Sequence, residues 1–371
     1  MKLYLMAHGI RISPESEKAW LERYGGPLTL SDYASTSGIC LYTESDIWVN
    51  APYIEEFTQG SKATLRFESD AFAVDFEGEL VPVSVVPVPR YHQRSYRDPA
   101  DGQDYPYTNL GVTHTDRCRI SPIEGCAWRC KFCDLSYDFR YRRKPVEELL
   151  AVIDLAVTDE PKAYHVLVSG GTPKPGDEAW LDDVYARVAQ GSPVPVDVMM
   201  PARHDFSYPA WLRSVGVNMM SINLEVSDPS RASKITPNKA RSLGRELYLD
   251  YIEAAVSAFS VGFVQSLMVF GEAIESLEST LEGVRDLVDR GCLPVLSPFR
   301  PDPSTPLGRS GALPPTVDDM KRLWDGTLEI CAKAGASIKP GPRCIPCQHN
   351  TVTFPDGTDF YVPLGTDLTT R

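Results

Sequence analysis

Between residues 119 and 334 the sequence alternates a short apolar run with a longer segment of helical period, six times over. The runs lie at 119–123, 165–169, 194–200, 217–225, 263–270 and 293–297, and Val, Ile, Leu and Met dominate them. Strands of a parallel sheet, buried on both faces, have this composition. The helical segments lie at 145–157, 178–189, 208–214, 242–259, 277–290 and 315–334, with 208–214 the least periodic. Pro145 and Pro315 stand where a first helical turn tolerates proline. This rhythm predicts an α/β fold, a partial (β/α)6 TIM-type barrel, because a closed eight-unit barrel typically needs about 250 residues. A doubly wound open sheet is the alternative, but no G-x-G-x-x-G follows an expected strand, so its dinucleotide-binding form has no support.

The first 112 residues read differently. Segments 62–67, 71–76 and 79–87 alternate or run β-branched between Gly-, Ser- and Asp-bearing turns, as strands do. Residues 88–112 carry Pro, Asp, Gly and Tyr without a period and suit a linker or an ordered loop. The expected organisation is an N-terminal β-rich domain with linker over 1–112, a barrel over 113–312, and a C-terminal helix with a Cys-containing extension over 313–371. The N-terminal part is expected to be a scaffold or lid. With 37 basic against 50 acidic residues the formal charge is −13, which argues against a generally basic nucleic-acid surface. No window approaches the ~18 uninterrupted apolar residues of a membrane helix, and the N-terminus lacks a long apolar signal region. A cytoplasmic protein with no membrane or nucleic-acid partner is expected.

Nine cysteines narrow the chemistry. An odd count in a large chain without a secretion signal argues against a disulfide framework. Directly after the first barrel strand stands Gly125-Cys126-Ala127-Trp128-Arg129-Cys130-Lys131-Phe132-Cys133-Asp134, spaced C-x3-C-x2-C. Thiolates are soft ligands suited to iron–sulfur clusters, and three from one loop can hold three irons of a cubane and leave the fourth open. A zinc site completed by a distant His or Cys is the competing reading. In a parallel barrel the loop after a strand lies at the C-terminal mouth, where chemistry is done.

This loop, with the aromatic Phe132 just before its last cysteine, resembles the signature of the radical S-adenosylmethionine (radical SAM) superfamily. The resemblance implies that Cys126, Cys130 and Cys133 ligate a [4Fe–4S] cluster and that S-adenosylmethionine (SAM) occupies the fourth iron. It implies reductive cleavage of SAM to a 5′-deoxyadenosyl radical, which takes hydrogen from a small-molecule substrate. It also implies a flavodoxin- or ferredoxin-type electron donor.

Further segments in the same order are similar to that family, closest to its biotin- and lipoyl-synthase-like branch. Ser169-Gly170-Gly171-Thr172 stands where the family carries G-G-E and receives the SAM amino group; Thr172 replaces the acid, leaving backbone carbonyls and a hydroxyl. Ser221-Ile222-Asn223-Leu224-Glu225 resembles an N-L-E element, which implies that Asn223 and Glu225 contact SAM or substrate. Residues 266–272 and 293–307 resemble the strands that frame the adenine. Arg300 is an anchor for a carboxylate or phosphate, because its fork binds oxyanions bidentately, with a salt bridge to Asp302 as the plain alternative. Arg203 is a second residue of that kind.

Near the end stands Cys344-Ile345-Pro346-Cys347 with His349. With Cys118 or His349 this pair is expected to hold an auxiliary iron–sulfur cluster; a zinc knot, a redox dithiol and a disulfide are the rivals. Cys40, Cys292 and Cys331 have no such company and read as packed small hydrophobes. After hydrogen abstraction, sulfur insertion, rearrangement, C–C bond formation and dehydrogenation all stay open. A non-catalytic iron–sulfur or zinc protein, keeping the fold as a scaffold or metal sensor, is the reading that Thr172 favours.

Overall fold

The computed structural model describes residues 1–26, 28, 38–45, 47–114, 116–336 and 350–353. The chain opens with helix α1 (Lys2–His8), strand β1 (Arg11–Ile12) and helix α2 (Pro14–Tyr24). α2 begins where the Ser13 hydroxyl accepts the Ser16 N–H at 3.1 Å, with Pro14 in the first turn, and it stops at Gly25, whose φ of 66° suits glycine. Strands β2 (Ile39–Tyr42), β3 (Trp48–Ala51), β4 (Ala63–Glu68), β5 (Ala71–Phe76), β6 (Glu79–Pro82) and β7 (Ser84–Val85) come next. They form two small sheets, ordered β1-β4-β5-β6 and β3-β2-β7. The region read as β-rich therefore also carries two helices, one on each side of β1. The segment read as a linker carries the hairpin-like pair β8 (Ser95–Arg97) and β9 (Asp104–Pro106) and leads into β10 (Gly111–His114).

From here the barrel is built. Strand β11 (Arg117–Ile120) pairs antiparallel with β10 on one side and parallel with the next barrel strand on the other. Short strands β12 (Ile123–Glu124) and β13 (Arg142–Arg143) pair with each other and bracket the cysteine loop. Then come α3 (Val146–Thr158), β14 (His165–Val168), α4 (Glu178–Gly191), β15 (Val196–Met199), α5 (Tyr208–Ser214) and β16 (Met219–Ser221). After three helices, α6 (Pro229–Ile235), α7 (Pro237–Ser242) and α8 (Gly244–Phe259), the chain returns through β17 (Val264–Phe270), α9 (Leu277–Asp289) and β18 (Leu293–Pro298). Helices α10 (Pro306–Arg309) and α11 (Val317–Ala334) complete the described elements. The sheet order is β10-β11-β14-β15-β16-β17-β18, with β11 to β18 all parallel. This is the partial (β/α)6 barrel, extended at one edge by the antiparallel β10.

The apolar faces of α3, α4 and α8 bury Leu149, Val152, Val184, Val188, Leu249 and Ile252 against the outside of the sheet. A second core joins α1 and the N-terminal strands to α9, β18 and α11 through Leu5, Leu65, Val284, Leu296, Leu323 and Trp324. At the opposite edge of the barrel sheet, Cys40 of β2 packs on Val112 of β10. The N-terminal region thus touches both edge strands of the open barrel. The Val352 N–H donates to the Leu296 carbonyl of β18 at 3.0 Å, covering part of the other edge. An uncovered edge strand would offer its backbone groups to other chains. No helix among the described residues is long and apolar enough to cross a membrane.

Alternation along each strand sends every second residue into the barrel. On β11 these are Arg117 and Arg119, while Cys118 faces the helices. Deeper in the barrel, His165 and Asp197 are both buried, 3.9 Å apart. Burial pushes the Asp197 carboxyl up to about 8, against the opposing pull of the Asn218 hydrogen bond and the Arg117 charge. A carboxyl raised by folding favours the native state while protonated in both states, so stability falls as pH rises from the ordinary carboxylate range through about 8. Thermal unfolding at pH 5 and pH 8.5 is expected to show wild type losing stability over that interval and Asp197→Asn losing clearly less.

Candidate active site

The three cysteines of the loop are free thiols that line one cavity of about 290 Å³ at the C-terminal ends of the strands. The loop is fastened from three sides. The Thr172 N–H donates to Cys126 Sγ at 3.2 Å, and the Thr172 carbonyl accepts the Ala127 N–H at 3.0 Å. The Lys131 N–H donates to the Ile235 carbonyl at the end of α6 at 2.9 Å, and its carbonyl accepts the Leu307 N–H of α10 at 3.1 Å. Trp128 adds a second N–H to Cys126 Sγ at 3.3 Å. Phe132 anchors the loop's last turn in an apolar cluster with Val226, Ile235, Val269 and Phe299.

Gly170 and Gly171 are required by this docking. Gly170 has φ of 133°, and a Cβ on it would lie 2.5 Å from Ser121 Oγ. A Cβ on Gly171 would overlap the Gly125 carbonyl oxygen and fall 2.7 Å from Cys126 Cα. Strand β14 ends against the backbone of the cysteine loop, and only glycine permits the approach. The Thr172 carbonyl accepts the Ala127 N–H and so belongs to this docking. Ser169 lines the cavity with its hydroxyl 3.3 Å from Met199 Sδ.

The donor set fits an iron–sulfur cluster. Among the described residues no three Cys, His, Asp or Glu side chains are placed to hold a single metal ion, yet the three thiols share one cavity wall. Ligands spread around a volume suit a cluster, whereas a zinc ion draws its ligands to one point. Two N–H groups aimed at Cys126 Sγ are contacts of the kind that tune cluster sulfurs. Desolvation raises the Cys130 and Cys133 thiols well above their ordinary range, reinforced by the nearby Glu225 and Asp134 carboxylates respectively. Loading a metal there must therefore displace protons.

Asn223 and Glu225 also line the cavity, from beyond the end of β16. The Asn223 Oδ1 accepts from Ser221 Oγ at 2.9 Å and from the Leu267 N–H at 3.2 Å, tying β16 to β17. Glu225 has φ of 68°, a conformation that costs a residue with a Cβ about 1–2 kcal/mol. Its backbone still bridges Met268, and its carboxylate meets Lys239 Nζ at 2.8 Å. Lys239 is buried, also donates to the Asn223 carbonyl at 2.8 Å, and lies 4.9 Å from the Tyr248 ring centre. Burial alone would lower its pKa; Glu225, Tyr248 and Cys130 together overcome this and hold it raised. The sequence offered no sign of Lys239, nor of Arg117 and Arg119, which line the same cavity.

Arg300 reaches the cavity from beyond β18, with Glu55 3.8 Å away and the Asn50 carbonyl accepting from its Nη2 at 3.4 Å. Arg203 is fastened to Asp182 at 2.8 Å and stacked on Tyr208, outside this cavity. Cys118 corrects an expectation. It lies fully buried among Tyr91, Ile120 and Val152, on the helix side of β11, and burial raises its thiol to about 11. That position makes it a core residue, turned away from the cavity. Cys344, Cys347 and His349 lie outside the described residues. Substituting Gly171→Ala is expected to push the cysteine loop off β14: iron retained per chain after anaerobic reconstitution falls by more than half, while far-ultraviolet circular dichroism stays that of the wild type.

Residues 120–284 match the model of the radical SAM superfamily. Over 130 residues the chain is 29% identical to bacteriochlorophyllide c C-7(1)-hydroxylase of Chlorobaculum limnaeum, a match that covers 35% of this chain and 31% of that enzyme. The chain thus spans about a third of the curated relative. Among solved structures, a radical SAM methyltransferase from Sphaerobacter thermophilus is 17% identical, with a TM-score of 0.49 over 66% of this chain and 75% of that one. Methylornithine synthase is 16% identical, with a TM-score of 0.45 over 59% and 69% of the two chains. Members of the superfamily use a [4Fe–4S] cluster and SAM. With the barrel and cysteine loop in place, the match runs from β11 into α9, so residues 120–284 carry a radical SAM superfamily domain.

Proposed function

We propose that Cys126, Cys130 and Cys133 hold the [4Fe–4S] cluster, and that the cavity beside them brings SAM and a small-molecule substrate together for hydrogen abstraction. The observation that carries this is the shared wall: three free thiols, the Gly170–Thr172 strand end, Asn223 and Glu225 all border one cavity at the C-terminal mouth of the barrel. When bound, the cluster and SAM supply one-electron reductive cleavage and a 5′-deoxyadenosyl radical that takes hydrogen from a C–H bond.

This chain's own residues orient and exclude. Gly170 lets backbone groups approach a ligand without side-chain obstruction, while Gly171 holds the strand end against the cysteine loop. The Glu225–Lys239 pair sets a carboxylate and an ammonium side by side in the cavity lining, matching a ligand that carries both an amine and a carboxylate. Phe132, Leu267, Val269 and Phe299 give the cavity lining its apolar part and keep water from the reacting centre. The electron comes from a ferredoxin- or flavodoxin-type donor, and the exposed residues around the loop, such as Arg129, are where it would dock.

Anaerobically reconstituted protein with dithionite and SAM is expected to release 5′-deoxyadenosine, measured by liquid chromatography. Ala at Cys126, Cys130 or Cys133 is expected to abolish release. Well-loaded wild-type protein that forms none, with or without a metabolite mixture, would overturn the proposal. Glu225→Gln is expected to keep its iron but to weaken SAM binding about tenfold, the scale of one lost charged hydrogen bond.

A further inference from the structure

The cavity beside the thiols is small for all that the proposed reaction brings together. At about 290 Å³ it stands at the lower end of the range that one cofactor- or drug-sized ligand occupies. The cluster and SAM account for that space, so the body of a substrate needs other room. Such room adjoins it. A second cavity of about 470 Å³ lies among the loops that follow β14 and β15, α4 and α7. Trp128, Ser169, Gly170, Thr172 and residues 199–201 line both cavities, whereas the three thiols border the first and not the second. α7 stands between the two: Asn238 lines the second and its neighbour Lys239 the first.

The second cavity is lined mainly by apolar groups, among them Leu181, Tyr185, Met199 and Met200. Its polar side chains have capacity to spare. Trp128 is half-buried in the cysteine loop; its backbone N–H is used by Cys126 Sγ, but among the described residues its ring meets no other ring and its indole N–H no acceptor. An indole face left open at a cavity wall is a stacking surface for a flat ligand. The half-buried Asn238 amide also makes no hydrogen bond among the described residues. Arg203 gives Asp182 two N–H groups, at 2.8 and 3.4 Å, and its other N–H groups meet no acceptor among the described residues. Since Asp182 balances the Arg203 charge, these donors call for acceptor oxygens on a ligand rather than for a highly charged anion.

We propose that the second cavity takes the body of the substrate, a flat and mainly apolar ring system that carries carbonyl or carboxylate oxygens at one edge. The ring lies against Trp128, the oxygens accept from Asn238 and Arg203, and the end that gives up hydrogen reaches past Ser169 and Met199 into the first cavity. This rests on reading the first cavity as the place of the cluster and SAM.

The test uses anaerobically reconstituted full-length protein, titrated calorimetrically with sodium 2-naphthoate in the presence and absence of saturating SAM, while SAM binding is followed by equilibrium dialysis. Wild type is expected to bind one naphthoate per chain, with an affinity that SAM changes by less than about threefold. Decahydro-2-naphthoate, the same skeleton saturated and puckered, is expected to bind about fivefold more weakly because it cannot stack. Asn238→Ala, a change that a helix favours, is expected to weaken naphthoate about fivefold and Arg203→Gln about tenfold, with iron content and SAM affinity those of wild type. Wild type that binds no naphthoate, binding that both variants leave intact, SAM displacing naphthoate one for one, or equal binding of the saturated skeleton overturns the inference. If naphthoate binding follows Asn238 and Arg203 while well-loaded wild type cleaves no SAM, the second site stands and the radical reading falls.

Discussion

The site depends on one seam, where the end of β14 docks against the cysteine loop. Thr172 gives its N–H to Cys126 Sγ and takes the Ala127 N–H on its carbonyl, and Gly171 lies so close to Gly125 and Cys126 that no side chain fits between. Residues 125–133, between β12 and the short helical turn that starts at Asp134, would otherwise be free to wander, and three thiols on a wandering loop make a poor cluster site. The seam converts a sequence spacing into a fixed wall. The contacts of Lys131 with Ile235 and Leu307 complete the brace, so that later βα segments of the barrel help to hold the loop after its first strand.

The cavity that results is mixed in its chemistry. Its lining combines the thiols, the glycine-bearing strand end and the Glu225–Lys239 pair with Arg117 and Arg119 of β11 and apolar side chains such as Leu167. Glu225 sits in a strained backbone conformation beside Lys239, and strain retained at a ligand wall is compatible with a positioning role. The N-terminal region contributes directly as well: Met6 of α1 lines the cavity, and Glu55 and the Asn50 carbonyl steady Arg300. Through α1 and β2 this region packs on both edges of the barrel sheet.

Much of this was legible in the sequence because it is local. Apolar runs bounded by turns mark the parallel strands within a few residues, and three cysteines within one loop declare soft-metal chemistry wherever the loop ends up. The helices α1 and α2 were hidden by their shortness, although Ser13-Pro14 and Gly25 mark the start and stop of α2. Lys239 was illegible for a different reason. It lies 14 residues after Glu225, on a short helix with no motif of its own, and only the packing of α7 under the cavity makes the pair. Arg117 and Arg119 show the limit of pattern reading, since alternation says that they share a face but not that this face is the inside. Cys118 misled because closeness in sequence to the cysteine loop suggested closeness in space, whereas a one-residue step along a strand reverses the face.

The central claim is that three protein thiolates leave one iron of the cluster open to SAM. Electron paramagnetic resonance of the reduced, reconstituted protein with and without SAM addresses it most directly. The account predicts a [4Fe–4S] signal whose g values move on adding SAM, and the loss of that response when the open iron is capped by an added thiol. A signal that saturating SAM leaves unchanged, in protein with full iron and sulfide, would contradict it.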